Sequence, residues 1–193
     1  TNPVLIHVCN LEMAKRYVMG LENPLTNYLL KRYWPGPLTF IGEATEIVPN
    51  CVTANTGLVG VRCPDYPLSL QLIENSNVGI AAPSANISGH VSSTKVNHLF
   101  EDFNHCDDEL FYIEDCNEKN VKKYGVESTI IKIENTCVII YRYGSISIDN
   151  LLLNLKDFPL EVNIKFREND LNTNMISPGQ IVKHYSPNLE TYL

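Results

Sequence analysis

The chain has 193 residues, 44% of them hydrophobic and 19% charged, which suffices for one substantial core and leaves little room for two full domains. Its formal net charge is −7, from 22 acidic and 15 basic residues, and this balance argues against a protein that coats nucleic acid through the phosphate backbone. The longest apolar stretches have the length of a strand, whereas a transmembrane helix needs roughly 20 apolar residues, so we expect no membrane partner.

Short apolar runs alternate with stretches of helical spacing along the chain. In chain order, the predicted elements are a strand over 4–8, helices over 11–19 and 24–33, strands over 38–41 and 58–61, a helix over 67–74, a strand over 78–82, a helix over 94–103, strands over 110–113, 128–133 and 138–141, and a helix over 148–155. This alternation predicts an α/β fold, a sheet with flanking helices. The short polar link Glu134-Asn135-Thr136 fits a hairpin, so the twisted sheet is expected to be mixed.

Two polar regions interrupt this pattern. Residues 116–124 are charged and lack apolar periodicity, which predicts an exposed loop, and residues 166–175 are rich in Asn, Asp and Glu, which predicts a linker. We therefore expect one domain over 1–165, followed by a linker and a lid-like tail over 166–193.

The cysteines and the beginning of the chain bear on the compartment. Six dispersed cysteines, without a C-x-x-C pair, favour reduced thiols over a disulfide framework or a zinc site. The chain opens at Thr1 without a basic and apolar leader, so no secretory signal is expected. These features predict a cytoplasmic protein, with the mitochondrion as the alternative.

Several motifs follow predicted strands, where α/β sheets place their ligands. His7 ends the first strand, although a lone histidine there is more often structural. The turn Trp34-Pro35-Gly36-Pro37 is rigid and is assigned a structural role. Arg62 and Arg142 each end an apolar strand and could present a planar fork to a carboxylate or phosphate, or extend into solvent.

A segment rich in serine, 81–89, continues through 92–94 at the start of a predicted helix. Small hydroxyl residues around a glycine let backbone amides approach an anion, and a helix start adds free N–H groups, so the segment is a candidate phosphate cradle. It matches neither the Walker loop nor the dinucleotide fingerprint, and the alternative is an ordinary turn with a helix cap. The cationic segment 176–187 could close over a site as a lid, or simply pack.

Taken together and in this order, these motifs resemble the YrdC-like threonylcarbamoyl-AMP synthases, over nearly the whole chain. The matching segments are 2–8, 34–39, 61–64, 83–89 with 92–94, 125–129, 142–144 and 177–187. The resemblance implies an enzyme that condenses L-threonine, bicarbonate and ATP into threonylcarbamoyl-adenylate and pyrophosphate, with Mg2+ as cofactor. It also implies downstream proteins that transfer the threonylcarbamoyl group to tRNA, and a weak contact with tRNA itself.

The resemblance also implies roles for individual residues. Those expected to contact ATP are Asn2, Ser84, Ser92, Arg142, Ser177 and His184. Those expected to contact threonine are His7, Arg62, Ala82 and Ser128. No residue is assigned as a nucleophile or base, because a carbamate oxygen can attack the α-phosphorus of ATP directly, and catalysis then consists of positioning and charge neutralisation. Metal ligands are not assigned.

The chain also departs from the family pattern. The family's lysine-x-arginine motif would precede Thr1, so we expect this sequence to lack the N-terminal part of the catalytic domain, and to lack the second domain of the longer members. Leu58 stands where many members have a threonine near ATP. The alternative function is an RNA-binding module of the same fold without catalysis. A related carbamoyl-adenylate enzyme of metallocentre maturation is a third reading, although that family's additional segments are missing.

Overall fold

A computed structural model describes residues 2–87, 90–93, 95–103, 112–113 and 126–167. The strands are β1 (Leu5–His7), β2 (Leu38–Glu43), β3 (Leu58–Arg62), β4 (Ile80–Ala82), β5 (Thr129–Glu134), β6 (Cys137–Arg142) and β7 (Asn163–Phe166). The helices are α1 (Leu11–Ala14), α2 (Pro24–Tyr33), α3 (Asn50–Thr53), α4 (Pro67–Ser76), α5 (Val96–Phe103) and α6 (Ile148–Leu155).

All seven strands form one sheet in the order β4-β1-β3-β2-β5-β6-β7. The pairs β1/β3, β2/β5 and β6/β7 are parallel, and β1/β4, β2/β3 and β5/β6 are antiparallel. The predicted mixed α/β architecture is therefore confirmed. The hairpin between β5 and β6 is also confirmed, since Glu134 pairs with Cys137 and Asn135 adopts a left-handed φ of 56° between them.

The contacts divide the described chain into two units. One contains the sheet, with the described residues up to 82 and from 126 to 167. The other contains α5 and the described residues between 83 and 113. Phe166, which was assigned to a linker, belongs to β7, and the rest of the predicted linker beyond 167 lies outside the described residues.

The core of the sheet unit lies on one face of the sheet. Alternate strand residues such as Ile6, Val61 and Phe40 join a buried apolar cluster with Leu29 and Leu151 of the covering helices. Local signals start these helices: the Asn23 side chain accepts hydrogen bonds from the first turn of α2, and the Ser147 side chain accepts one in α6. Burying each such leucine contributes about 1.5 to 3 kcal/mol.

Some elements differ from the expectation. Helix α1 ends at Ala14 rather than at residue 19, and Val18 forms an isolated bridge with Ala44 instead. Helix α3 and strand β7 were not predicted. Of the strand predicted over 110–113, residues 112–113 have no regular structure and the others lie outside the described residues, as does the loop predicted over 116–124. In the described part of the chain, no helix could cross a membrane.

Candidate functional site

The strand register places polar side chains in one line across the sheet. Directly paired residues in neighbouring strands project to the same face, so the line lies on one face, opposite the apolar core. The paired residues are, in order, Ile80, His7, Arg62, Thr39, Ile130 and Arg142. Ser128 lies two residues before Ile130 and shares this face. We call His7, Arg62, Thr39, Ser128 and Arg142 the polar row.

A register shift in the β5/β6 hairpin turns Arg142 towards this row. Ile131 pairs with Ile140, but Ile130 pairs with Arg142, so one extra residue, Tyr141, is accommodated in β6. Without the shift, Ile130 would pair with Tyr141, and Arg142 would share the core face with Ile140. A bulge of this kind commonly redirects a functional side chain.

Arg142 and Ser128 are joined by several hydrogen bonds. The Arg142 Nε and Nη2 groups donate to the backbone oxygen of Ser128 over 3.1 and 3.0 Å. The Nη2 group also donates to Ser128 Oγ over 3.1 Å, and that oxygen lies 2.7 Å from Thr39 Oγ1. The hydroxyl pair is buried. Arg142 is therefore held by the residue immediately before β5, and a chain of polar contacts runs from it to Thr39.

The turn before β2 orients Arg62. Gly36 donates its N–H to the oxygen of Cys63 over 2.8 Å and accepts a hydrogen bond from Arg62 Nε over 3.1 Å. Nε is engaged, and the described residues show no hydrogen bond to the two terminal nitrogens of Arg62, which form a pair that suits a carboxylate. The structural role assigned to the turn thus includes positioning a candidate binding residue.

The loop after β6 is fastened to the segment that carries Ser128. Ser145 N and Oγ donate to Glu127 O, and Ile146 N donates to Thr129 Oγ1, whose proton goes to Ile146 O over 2.8 Å. A Cβ added at Gly144 would collide with the backbone of Ser128. The close approach of these two backbones requires a glycine at this position.

Burial and charge perturb two groups of the row. Desolvation, then the charge of Arg62, lowers the pKa of His7, although a hydrogen bond to the backbone of Ile80 raises it. The imidazole is therefore neutral at pH 7. Desolvation lowers the pKa of Arg62, Asp65 raises it, and Arg142 lowers it. Two neighbouring guanidinium groups beside a neutral histidine form a site for anionic groups.

The second unit contains the serine-rich segment. Ser84 is exposed, and its carbonyl accepts a hydrogen bond from Asn86 N over 3.0 Å, while Ser92 is half-buried. The buried Asn86 donates through Nδ2 to the carbonyls of Ile87 and His90. Its Oδ1 atom and Ser93 Oγ are buried and have no hydrogen-bond partner among the described residues. Buried polar atoms of this kind normally bind water or a ligand.

The remaining predicted site residues lie apart from the polar row or outside the described residues. Asn2 lies before the N-terminal end of β1, whereas His7 is at the C-terminal end of that strand. Ala82 pairs with Leu5 at the end of β4, two residues along the strand from the residue beside His7. Ser177 and His184, with the whole predicted lid, lie outside the described residues. The binding roles of all these residues stay predictions.

Thr39, Gly36 and Asn86 were not among the predicted site residues. A threonine inside the apolar run 38–41 is a weak signal, because threonine is common in strands. Within the described residues, no group of three or more His, Cys, Asp or Glu side chains could hold a metal. The four described cysteines are free thiols.

Known proteins resemble this chain in sequence and in fold. The profile of the Sua5/YciO/YrdC family, described as "Telomere recombination", matches residues 1–144. The threonylcarbamoyl-AMP synthase of Pyrococcus abyssi is 34% identical over 98% of this chain and 53% of its own length, and that of Bacillus subtilis is 32% identical over 96% and 51%. The chain thus spans about half the length of the curated relatives it matches.

A solved structure is also similar. P. abyssi Sua5, complexed with L-threonine, matches with a TM-score of 0.77 and 29% identity, over 98% of this chain and 53% of that one. The family profile covers most of the chain, and the relatives share a third of its residues. The chain belongs to the Sua5/YciO/YrdC family.

Proposed function

We propose that this chain forms the catalytic part of a threonylcarbamoyl-AMP synthase, which transfers the adenylyl group of ATP to the carbamate of L-threonine and releases pyrophosphate. The polar row carries the proposal, because it combines a guanidinium fork, a neutral imidazole and a buried hydroxyl pair on one face of the sheet. The names of the relatives, and the L-threonine bound in the similar structure, support the same reaction.

The threonine carboxylate is assigned to Arg62. A planar carboxylate can accept two parallel hydrogen bonds from the terminal nitrogens of an arginine whose Nε is already engaged. The neutral His7 adds polar recognition without a second positive charge. Ser128 contributes a buried hydroxyl beside the same anionic group.

The triphosphate is assigned to the serine-rich segment of the second unit, and Arg142 is assigned to an anionic group at the polar row of the sheet unit. Arg142 supplies a fixed positive charge, held by Ser128. Ser84 and Ser92 supply hydroxyls near a helix start, as the cradle prediction requires. Mg2+ enters with ATP as part of the substrate, since this ion is usually held by substrate phosphates and water, and the described residues offer it no three-carboxylate or histidine cluster.

The chemistry needs no protein nucleophile. Bicarbonate and the amine of threonine condense to a carbamate with loss of water, and a carbamate oxygen then attacks the α-phosphorus while pyrophosphate leaves. The protein's part is to hold the two anionic reactants in line and to neutralise their charge. The downstream transfer to tRNA, any contact with tRNA and the cytoplasmic location are part of this proposal as well.

Product formation tests the proposal directly. The purified chain is incubated with Mg-ATP, L-threonine and labelled bicarbonate, and the label in threonylcarbamoyl-AMP is measured together with pyrophosphate. We expect both products, each dependent on all three substrates. Arg62→Lys should lower activity, because the fork is lost, whereas Arg16→Lys is the matched control, since Arg16 also donates to a backbone carbonyl, that of Asn77, and lies outside the row.

The opposite result is equally clear. A folded chain that neither binds L-threonine nor forms either product, and that binds single-stranded RNA instead, would contradict the proposed reaction and favour the RNA-binding alternative. Equal losses of activity in Arg62→Lys and Arg16→Lys would contradict the assignment of Arg62.

A further inference from the structure

A buried pair of hydroxyls lies at the centre of the polar row. Thr39 is fully buried and Ser128 is 2% exposed, and their Oγ atoms are 2.7 Å apart. The distance alone does not say which hydroxyl donates its proton. The surroundings of the two oxygens decide between the two directions.

A hydroxyl has one proton to donate and two lone pairs that accept. Ser128 Oγ already accepts one hydrogen bond from Arg142. If Ser128 donated to Thr39, the Thr39 proton would be buried without an acceptor in the described part of the chain, which is costly. If Thr39 donates instead, its proton is satisfied, both acceptor positions of Ser128 are filled, and the proton left over is that of Ser128, the residue of the two that is not completely buried.

We propose that Thr39 is a positioning residue that donates to Ser128, and thereby leaves Ser128 able only to donate to the bound amino acid. The ligand group opposite Ser128 must then be an acceptor oxygen, such as that of a carboxylate or carbamate, and not an ammonium or amide N–H. Arg62 already favours an anionic ligand. Thr39 thus adds to this selectivity. This inference rests on the proposed function and names a specificity device within it.

Three variants of the chain, titrated with L-threonine in a calorimeter, test the role of Thr39. Thr39→Val keeps the shape and removes the donor, so the affinity should fall about five- to tenfold, whereas Thr39→Ser should restore it to within about twofold. Thr26→Val is the matched control, because Thr26 is similarly buried and its hydroxyl has no hydrogen-bond partner among the described residues, so the affinity of this variant for L-threonine should be unchanged.

A second ligand separates selectivity from a general loss of structure. In Thr39→Val, the free acceptor position of Ser128 can take a hydrogen bond from the amide of L-threoninamide. The preference for L-threonine over L-threoninamide should therefore shrink about fivefold in this variant and recover in Thr39→Ser. Equal losses for both ligands, a Thr39→Ser variant no better than Thr39→Val, or the same loss in Thr26→Val would overturn the proposal.

Proton NMR of the free chain tests the direction of the bond without any ligand. The Thr39 hydroxyl proton should be observable and slow to exchange with water, since it is buried and bonded. A protected Ser128 proton with a rapidly exchanging Thr39 proton would overturn the proposal. A protected Thr39 proton in a chain that does not bind L-threonine would contradict the proposed function, while the assigned direction of the bond would stand.

Discussion

His7 illustrates how one side chain can couple the site to the pH. Its pKa is lowered by burial and then by Arg62, so the folded state takes up a proton only at a pH below 6.5, the ordinary value. In the unfolded chain the imidazole binds a proton at about its ordinary pKa. As the pH falls below 6.5, the unfolded state therefore binds more protons than the folded state, and stability is lost.

We expect the free energy of unfolding to decrease from about pH 7 to about pH 5, and the decrease to be smaller in His7→Gln, which cannot be protonated. Urea unfolding at several pH values measures the free energy of unfolding of the wild type and of His7→Gln. An identical pH dependence in the two proteins would show that the buried imidazole does not contribute.

Cys63 follows Arg62, and its thiol is buried. Desolvation, then the proximity of Cys9, raises the pKa of Cys63 to about 11, although Arg62 lowers it. Only the thiolate reacts with alkylating reagents, and at pH 8 about one Cys63 in a thousand carries it. In the native chain, iodoacetamide should therefore modify the exposed Cys51 rapidly and Cys63 only after denaturation, as peptide mass spectrometry can show. Rapid modification of Cys63 in the folded chain would contradict its burial.

Single residues could be predicted where their types carry chemistry. Arg62 and Arg142 stood out in the sequence because each ends an apolar run, and the structure places both on the polar row. Thr39 did not stand out, because a threonine in a strand is common. Its importance depends on Ser128, 89 residues away, and no local pattern contains that contact.

At the level of elements, the bulge in β6 and the loop after it decide where Arg142 points. The alternation of β6 predicts Arg142 on the face of Ile140, and only the extra residue at Tyr141 moves it to the other face. Helix α3 has four residues and strand β7 is partly exposed, so neither has a pattern long enough to detect. Long periodic elements such as α2 were predicted with the correct bounds.

Substituting Gly144 tests the close approach between the loop and β5. Gly144→Ala should destabilise the chain by about 1 to 3 kcal/mol and should also weaken L-threonine binding, because the new Cβ pushes Ser128 out of position. Gly57→Ala gives the comparison: the φ of +72° makes alanine strained there, but nothing lies near the added Cβ. Chemical denaturation and calorimetry measure both effects.

The two variants should differ in binding rather than in folding. Both are expected to lose stability, and only Gly144→Ala is expected to lose affinity when both are measured under conditions where they remain folded. Unchanged threonine affinity in Gly144→Ala would mean that the loop does not position Ser128.

For the whole molecule, composition and alternation were enough to predict the mixed α/β class but not the strand order. Strand β2 lies between β3 and β5, and β5 follows it by 86 residues, counted from Glu43 to Thr129. Such a pairing is set by packing over the whole chain, and no local signal encodes it. The polar row exists because this order brings β1, β3, β2, β5 and β6 side by side.

The two proposed substrates, L-threonine and Mg-ATP, should stabilise the whole chain through different residues. A ligand that binds only the folded state, at ten times its Kd, stabilises a protein by about 1.4 kcal/mol, which for this length raises Tm by about 3 to 6 °C. Arg62→Lys loses the fork, so it should lose the rise with L-threonine and keep the rise with Mg-ATP. Ser84→Val obstructs the proposed cradle, so it should show the reverse. Differential scanning fluorimetry of wild type and both variants, with each ligand alone, measures all the shifts in Tm.

If Arg62→Lys loses the Tm shift with both ligands, Arg62 is a structural arginine. If Ser84→Val keeps its full Tm shift with Mg-ATP, the triphosphate does not bind at the serine-rich segment.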